Sequence, residues 1–387
     1  MTIIQSKDGQ SKDRPRVAII GGGIIGMAIG WRLAGAGASV DIFERDRAGQ
    51  GATRAAAGML AAGVETEPGE QPLLPLCLES QARWPGFARE LEAVTGLPAG
   101  LRSEGTLVVA STRDEVELLR SNYAFQRGLG LELSWLTGAE AKEKEPFLNP
   151  RTAAGVFSPR DGQVDNRLAA AALRAALAAT GARLHEGTAV TGLDVSAGRV
   201  TGVVLGDRVA GADIVVLAAG AWSRLLPGQP VPPPVRPVKG QMMSLAMDPA
   251  RPLLTHVVWA PKCYLVPRRD GTLIIGATTE EKGFDSQMTA GGVLALLDAA
   301  WRALPGVEEL PVREMWTGLR PGSRDDAPIL GPAPGLEGLV LATGHHRNGI
   351  LLAPVTADAI TDLILTGRVD THIRPFGAER FAAAQAA

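Results

Sequence analysis

The sequence predicts a combination of α/β and α+β architecture, in which a discontinuous Rossmann-like domain carries an inserted domain built on an antiparallel sheet. Three observations support this fold class. A strand, a glycine cluster and a helix follow the polar start of the chain, and a second strand–turn–helix lies near its carboxyl end. Between them, the middle of the chain contains a succession of short strands typical of a β meander.

Length and composition indicate a globular protein with a substantial core. The chain has 387 residues, which is enough for two ordinary domains, and 45% of them are hydrophobic. The formal net charge is −2 and the basic residues are scattered, so we expect neither a nucleic-acid partner nor an acidic membrane surface. No apolar run approaches the roughly 18 residues of a membrane span.

The two cysteines, Cys77 and Cys263, lie far apart in the sequence. They exclude a disulfide framework and offer no CxxC or other metal-ligand spacing, so we expect no metal site. A chain with so few cysteines fits a reducing cytoplasm, which is the predicted location. The polar start lacks the apolar stretch of a signal peptide, and we expect it to form a short disordered tail.

The first elements form a complete βαβ unit. Residues 16–20 read as a buried strand, residues 24–35 have apolar positions at helical spacing, and residues 39–44 form a second strand. A loop of small residues at 49–63 is neither a good strand nor a patterned helix start. The elements predicted after it are a helix at 74–95, a strand at 105–111, a helix at 113–128, an irregular stretch at 146–158, and a helix capped by Asp165 that ends near Thr180.

Strands dominate the second half of the chain. They are predicted at 183–186, 189–196, 199–205 and 213–219, and, beyond a proline-rich linker at 227–237, at 240–246, 256–259, 264–267 and 272–277. A helix at 293–304, a strand at 338–342 and a helix at 352–365 complete the chain. We therefore assign the Rossmann-like domain to residues 14–75, 151–230 and 316–380, and the inserted domain to residues 76–150 and 231–315.

The glycine cluster between the first strand and helix is the firmest functional signal. It has the form GxGxxG, with Gly21 permitting a tight turn, Gly23 letting a pyrophosphate approach the backbone, and Gly26 allowing close helix–strand packing. The amino end of the helix favours an anion. Glu44 ends the second strand, where a carboxylate can bind ribose hydroxyls. Together these features predict dinucleotide binding.

Two later segments favour a flavin over a nicotinamide. The strand at 213–219 ends in small residues and Gly220, so a cofactor can lie close over its end. The strand before Gly344 leads through residues 345–350 into a helix, whose dipole could stabilise negative charge on a reduced flavin. Each segment, taken alone, is equally compatible with an ordinary core strand and turn.

Four strings make a family resemblance specific: IIGGGIIGMAIGWRLA, ATRAAAGMLAAG, LRPGSRDDAPILG and GHHRNGILLAP. Together they resemble the bacterial glycine oxidases of the D-amino-acid oxidase superfamily, some of which serve thiazole synthesis for thiamine. The resemblance runs from about residue 16 to about residue 365. It implies FAD as cofactor, a FAD-binding domain with an inserted substrate domain, and a homo-oligomer, with a tetramer suggested by relatives.

The resemblance also implies which residues contact FAD. The backbone of Ile24 and Ile25 would approach the pyrophosphate, Glu44 and Arg45 would flank the ribose, and Val190, at a strand end, would contact the adenine. The residues implied on the flavin side are Ala52, Thr53, Ala57, Gly58 and Met59 and, around the isoalloxazine, Gly344, His345, His346, Arg347, Asn348, Gly349, Ile350 and Leu351. No cysteine occupies the position through which sarcosine oxidases attach their flavin, so FAD is expected to be non-covalent.

Three residues are implied at the substrate. Arg320 would grip the substrate carboxylate bidentately and Tyr264 would add a hydrogen bond to it. Arg347 corresponds to a substrate-contacting arginine. The residues themselves leave alternatives: Arg320 could instead be a surface arginine in a proline turn, Tyr264 could be a plain strand tyrosine, and Arg347 could equally serve to hold its loop. Residues 276–279 contain no methionine, which some relatives place near the flavin, so the size of the substrate pocket is open.

The implied reaction is oxidative deamination of glycine, sarcosine or small D-amino acids. A neutral amine would lose its α-hydrogen as hydride to flavin N5, O₂ would become H₂O₂, and the imine would hydrolyse to glyoxylate and ammonia. No catalytic base is legible, and the adjacent His345 and His346 are poor candidates. Alternatives are a FAD-dependent D-amino-acid or N-methyl-amino-acid dehydrogenase with a non-oxygen acceptor, a NAD-linked dehydrogenase, and a non-catalytic flavin-binding protein.

Overall fold

The computed structural model describes residues 14–381, so the tail predicted at the amino end lies mostly outside the described residues. Its strands are β1 (Arg16–Ile20), β2 (Ser39–Phe43), β3 (Met59–Leu60), β4 (Thr106–Ala110), β5 (Ser134–Thr137), β6 (Ala154–Ser158), β7 (Gly162–Gln163), β8 (Arg183–His185), β9 (Gly192–Ser196), β10 (Arg199–Leu205), β11 (Arg208–Gly211), β12 (Ile214–Leu217), β13 (Arg236–Ala246), β14 (Val257–Ala260), β15 (Cys263–Pro267), β16 (Thr272–Gly276), β17 (Val312–Gly322), β18 (Ile329–Pro332) and β19 (Leu339–Thr343). Its α-helices are α1 (Ile24–Gly35), α2 (Ala52–Ala55), α3 (Leu74–Thr95), α4 (Arg113–Gly128), α5 (Gly138–Lys144), α6 (Asn166–Thr180), α7 (Ala290–Ala303) and α8 (Ala353–Thr366).

A six-stranded sheet in the order β18-β19-β12-β1-β2-β8 forms the Rossmann-like part. All neighbours are parallel except β18, which runs antiparallel to β19. Both faces are covered, as a parallel sheet requires. Val17 and Ile19 pack against α1, α3, α6 and α8, whereas Ala18 and Ile20 pack against the small sheet of β9, β10 and β11. The predicted α/β architecture is confirmed.

An eight-stranded mixed sheet in the order β17-β13-β16-β15-β14-β4-β6-β5 forms the second part. All neighbouring strands within this sheet are antiparallel except β14 and β4, which are parallel to each other. On one face, side chains such as Leu265 and Ile275 pack against α7. On the other, Met242, Val266 and Ile274 pack against Ala55, at the end of α2, and Ala57, in the loop that follows it. This second face therefore looks toward the six-stranded sheet, and the site lies there.

Several element predictions were wrong where pairing with a distant strand decides the structure. The stretch at 146–158, predicted to be irregular, contains β6, and β17 was not predicted. The β17 sequence, VREMWTGLRPG, lacks strand alternation, yet β13 supplies it with a partner along nearly its whole length. The strand predicted at 189–196 begins only at Gly192, so Val190 lies before β9 and not at a strand end. By contrast, Asp165 caps α6 as predicted, accepting hydrogen bonds from the amides of Arg167 and Leu168.

Sheet membership bears on the domain boundaries. Both β6 and β17 join the eight-stranded sheet, so residues 154–158 and 312–322 pair with strands of the inserted part. We propose that a domain division should follow the sheets, which moves the boundaries at 150/151 and 315/316 toward the carboxyl end. No helix among residues 14–381 combines the length and apolar character needed to cross a bilayer.

Candidate active site

A cavity of about 1100 Å³ lies between the two sheets, at the carboxyl ends of β1 and β12. The strand order of the six-stranded sheet reverses at this point, which is where open α/β sheets bind ligands. Nearly all the predicted site residues line it. The lining includes Gly21, Gly23, Ile24, Ile25, Glu44, Arg45, Ala52, Thr53, Ala57, Gly58, Met59, Val190, Gly220, Tyr264, Arg320, His345, His346, Arg347, Asn348, Gly349, Ile350 and Leu351.

The glycine cluster forms the turn between β1 and α1, and each glycine has a distinct physical reason. Gly21 has φ +109°, and a Cβ on it would lie 2.4 Å from the carbonyl oxygen of Ala218. A Cβ on Gly26 would lie 2.0 Å from the Gly21 oxygen, so Gly26 lets α1 pack on the turn and does not line the cavity. A Cβ on Gly23 would meet only Thr53, at 3.5 Å, and would occupy space beside the cavity.

The loop after β2 forms one end of the cavity. The Glu44 carboxylate accepts hydrogen bonds from the amides of Gly22 at 2.8 Å and Asp46 at 3.0 Å, which fixes it beside the glycine turn. The Arg45 guanidinium stacks on the ring of Trp222 at 3.8 Å. Trp222 was not predicted as a site residue, because it becomes a neighbour of Arg45 only when β12 and β2 lie in one sheet.

A buried arginine outside the lining holds the small-residue loop in place. The Arg268 guanidinium donates to the carbonyl oxygens of Ala57 at 2.7 Å and Val164 at 3.0 Å, and to the side chains of Gln163 and Asn166. Burial lowers the pKa of Arg268 to about 10. Gly58, with φ +72°, then passes so close to Val164 that no side chain fits.

Replacing Arg268 with methionine should destabilise the protein by about 3 kcal/mol or more, because several buried acceptors lose a charged donor at once. The measurement is urea unfolding of the variant against the parent protein. Arg313→Met is the matched control, since Arg313 is exposed on β17 and pairs with Asp270 at 3.3 Å. The control should cost less than about 1 kcal/mol. Equal losses in the two variants would contradict the bracing role.

Two side chains from the eight-stranded sheet converge at the other end of the cavity. The Arg320 guanidinium, on β17, donates to the carbonyl oxygens of Thr278 at 3.2 Å and Lys239 at 3.5 Å. Burial raises the pKa of Tyr264 to about 12 although Arg320 opposes the rise, so the phenol is a neutral donor at pH 7. Glycines make room for both side chains: a Cβ on Gly240 would lie 2.5 Å from Arg320, and one on Gly276 would lie 2.4 Å from Tyr264.

Arg347 is engaged by acidic residues. Its guanidinium binds Glu65 at 3.0 Å and Glu70 at 2.6 Å, which supports the alternative that it holds its loop. Burial opposes the charge of Arg347, but the two carboxylates outweigh it and raise its pKa. Gly344 does not line the cavity; with φ +72° it turns the chain after β19.

Glu65 is a cavity residue that the sequence did not predict. Its side chain is only 14% exposed, and burial raises its pKa to about 7 against the opposing effect of Arg347. The buried Asp161 fixes the preceding turn by accepting from the amides of Gly63 and Val64 at 3.0 Å. In sequence, the segment ETEPGE is typical of a solvated loop, so no local signal marks Glu65.

The two adjacent histidines are neutral at pH 7. Burial lowers the pKa of His345 to about 3, and burial followed by nearby arginines lowers that of His346 to about 4. His345 shares a hydrogen bond with the Thr356 hydroxyl at 3.1 Å. Neither ring therefore carries a charge that could be used on a substrate. No group of three or more histidine, cysteine, aspartate or glutamate side chains within residues 14–381 is arranged to hold a metal.

The His346 pKa predicts an acid-sensitive stability. Above pH 6.5 the ring is neutral in the folded and unfolded chains, but between pH 6.5 and about 4 only the unfolded chain takes up a proton, so stability falls. His346→Asn should reduce that loss by roughly 2 kcal/mol, and asparagine tolerates the φ of +47° at this position. Urea unfolding at pH 7.5 and pH 4.5 measures the difference. An identical pH dependence in variant and parent would contradict it.

Comparison with known proteins identifies the family of the chain. Residues 16–363 match the DAO family, described as FAD dependent oxidoreductase. A glycine oxidase of Geobacillus kaustophilus (strain HTA426) is 41% identical over 94% of this chain and 96% of its own length. The bifunctional protein ThiO/ThiG of Synechocystis sp. is 40% identical, and the chain spans about half of that longer protein. The crystal structure of glycine oxidase from G. kaustophilus superposes with a TM-score of 0.86, covering 94% of this chain and 98% of that one.

Proposed function

The chain belongs to the DAO family of FAD-dependent oxidoreductases and within it to the glycine oxidases, and from this premise we propose that it oxidatively deaminates glycine. The observation that carries the proposal is the convergence of Arg320 and Tyr264 at one end of a cavity whose other end is the glycine turn. Two groups suited to binding a carboxylate thus share one cavity with the proposed dinucleotide site.

The residues present fit FAD. The turn at Gly21 and Gly23 is free of side chains, and the amino end of α1, which borders the cavity, favours the pyrophosphate. Glu44 would bind the ribose and the braced loop at Ala57 would lie against the flavin. When bound, FAD supplies the acceptor for a hydride from the substrate carbon and passes the electrons to O₂. We propose non-covalent binding, because burial raises the pKa of the Cys263 thiol to about 12 and so suppresses its nucleophilic form.

The substrate would be held by its carboxylate. Arg320 offers two parallel N–H groups and Tyr264 a neutral hydroxyl, so the α-carbon is placed at a defined distance from the cofactor. Because the cavity lies between the two sheets, bound FAD and substrate would displace water from it. The imine product then leaves and hydrolyses to glyoxylate and ammonia, with H₂O₂ as the second product. The cavity wall beside Tyr264 combines the small residues Gly276 and Ala277 with the larger Met242 and Trp259. On the family resemblance we include sarcosine and small D-amino acids as substrates.

The pathway and assembly proposals rest on the relatives. Because a similar protein is named ThiO/ThiG, we propose that the imine product serves thiazole synthesis. The resemblance also supports a homo-oligomer, with a tetramer as the expected state. Size-exclusion chromatography with light scattering would measure it.

The test is an anaerobic titration of the purified yellow protein with glycine, sarcosine and D-alanine, following the visible flavin absorbance. Bleaching by glycine that is reversed by air with H₂O₂ release would support the proposal and rank the substrates. Bleaching that air does not reverse would favour the alternative, a dehydrogenase with another electron acceptor. A yellow protein that none of the three bleaches would overturn the assignment to small amino acids.

A further inference from the structure

One carboxylate with no role in the proposed reaction faces the substrate end of the cavity. Of the acidic side chains that line the cavity in the described part of the chain, Glu44 and Asp46 lie at the glycine-turn end. Glu65 is the third. Its negative charge lies near enough to Tyr264 to raise the pKa of the phenol, and this effect is smaller than those of burial and of Arg320. An amino acid held by Arg320 and Tyr264 therefore has Glu65 within electrostatic reach.

We propose that Glu65 is a catalytic base that removes the proton from the ammonium group of the bound amino acid, a role that rests on the proposed function. An amino acid enters as a zwitterion, and its nitrogen has no free electron pair until one N–H bond breaks. In this step the N–H bond breaks, an O–H bond forms on Glu65, and the electron pair remains on nitrogen. That pair then forms the C=N bond as the hydride leaves the α-carbon, and Glu65 later returns its proton to solvent.

The hydrogen bonds of Glu65 leave one oxygen for this task. Its Oε2 accepts from Arg347 Nε at 3.0 Å, and no donor among residues 14–381 binds Oε1. Asp161 fixes the turn before Glu65, as described above, so the carboxylate is held by a buried support. A base must be positioned before its pKa matters, and this arrangement positions it.

The groups around Glu65 allow it to be either charged or protonated without leaving Arg347 unpaired. Two carboxylates surround one guanidinium, so Arg347 keeps Glu70 as an ion-pair partner at 2.6 Å when Glu65 takes a proton. The pKa of about 7 agrees with this balance, because a base works best near the pH of the reaction. The titratable and charged groups that act on Glu65 or feel its charge are Arg347, Glu70, Asp161, Cys77 and Tyr264.

The test compares Glu65→Gln with Glu70→Gln in the FAD-loaded enzyme, measuring kcat/KM for glycine from pH 5.5 to 10. Glu70 binds the same guanidinium but does not line the cavity, so it is a matched control for the ion pair. At pH 7 we expect kcat/KM to fall at least about 100-fold in Glu65→Gln, which is the contribution typical of a general base, and less than tenfold in Glu70→Gln. As the pH is raised, the kcat/KM of the parent and of Glu70→Gln should level off near neutral pH. The kcat/KM of Glu65→Gln should keep rising until the pH reaches the pKa of the free amino group of glycine.

A binding measurement separates lost chemistry from a damaged pocket. Glycolate carries a carboxylate and no ammonium proton, so its Kd, read from the flavin absorbance shift, should be similar in the parent and Glu65→Gln. If Glu65→Gln does not retain flavin, Glu65→Asp replaces it and should keep the shape of the parent profile at a lower rate. Parallel profiles for the parent, Glu65→Gln and Glu70→Gln would overturn the proposal for Glu65. Failure of glycine to bleach the parent protein would instead overturn the proposed function.

Discussion

Gly26→Ala should give a protein that is strongly destabilised and purifies without flavin. The new Cβ would lie 2.0 Å from the carbonyl oxygen of Gly21, and the turn cannot move away, because Gly21 is itself packed against Ala218. The helix α1 must therefore shift from the turn that we propose as the pyrophosphate site. Overpacking of this kind costs about 1–3 kcal/mol in a core side chain and more where the obstacle is backbone.

Gly35→Ala, at the far end of the same helix, is the matched control. Nothing lies within 4 Å of a Cβ at that position, so alanine should stabilise the helix by about 0.5–1 kcal/mol. The measurements are the flavin content of each purified variant and its Tm with and without added FAD. If Gly26→Ala carried flavin like the parent, the close packing of α1 on the turn would not be required for cofactor binding.

The elements around the glycine turn could be predicted from the sequence for a physical reason. The glycine turn with its helix and the Asp165 cap are mainly local arrangements: Gly26 packs on Gly21, five positions earlier, and Asp165 accepts from amides two and three positions later. The local sequence therefore contains nearly all the information that decides them. The same holds for α3 and α4, whose predicted bounds agree with the structure.

What the sequence could not predict depends on residues that meet only in the fold. The strand β17 exists because β13 pairs with it, and its own residues carry no strand pattern. Arg347 was left open between two roles, because the carboxylates of Glu65 and Glu70 that engage it lie hundreds of positions earlier. Glu65 was missed for the same reason. The environment that raises its pKa is assembled from three separate segments of the chain.

The substrate residues are an intermediate case. The family resemblance pointed to Arg320 and Tyr264, while the residues around them left a surface arginine and a plain strand tyrosine as alternatives. Their roles remain proposals, but the structure adds a physical observation to the resemblance. Gly240 and Gly276 are placed where any side chain would displace the guanidinium or the phenol. This observation supports a site that is built around the two groups.

Arg320→Ala should raise the KM for glycine by about 10²–10⁴-fold while the protein keeps its flavin and its visible spectrum. Charge-assisted hydrogen bonds contribute about 1.5–3 kcal/mol each, and a carboxylate held bidentately loses two of them. The KM of Arg320→Lys should lie between those of Arg320→Ala and the parent, because lysine keeps the positive charge but lacks the planar pair of donors. Arg313→Ala, on the exposed part of the same strand, should leave KM unchanged.

The substrate offers a second way to isolate the carboxylate contact. An amine without a carboxylate, such as methylamine, cannot use Arg320, so its already poor oxidation should be nearly equal in the parent and in Arg320→Ala. The loss of preference for glycine over methylamine then measures the contact itself, apart from any general disturbance of the cavity. If Arg320→Ala lowered both activities equally, Arg320 would be supporting the pocket through the carbonyls of Thr278 and Lys239. In that case the glycine carboxylate would have to be bound elsewhere.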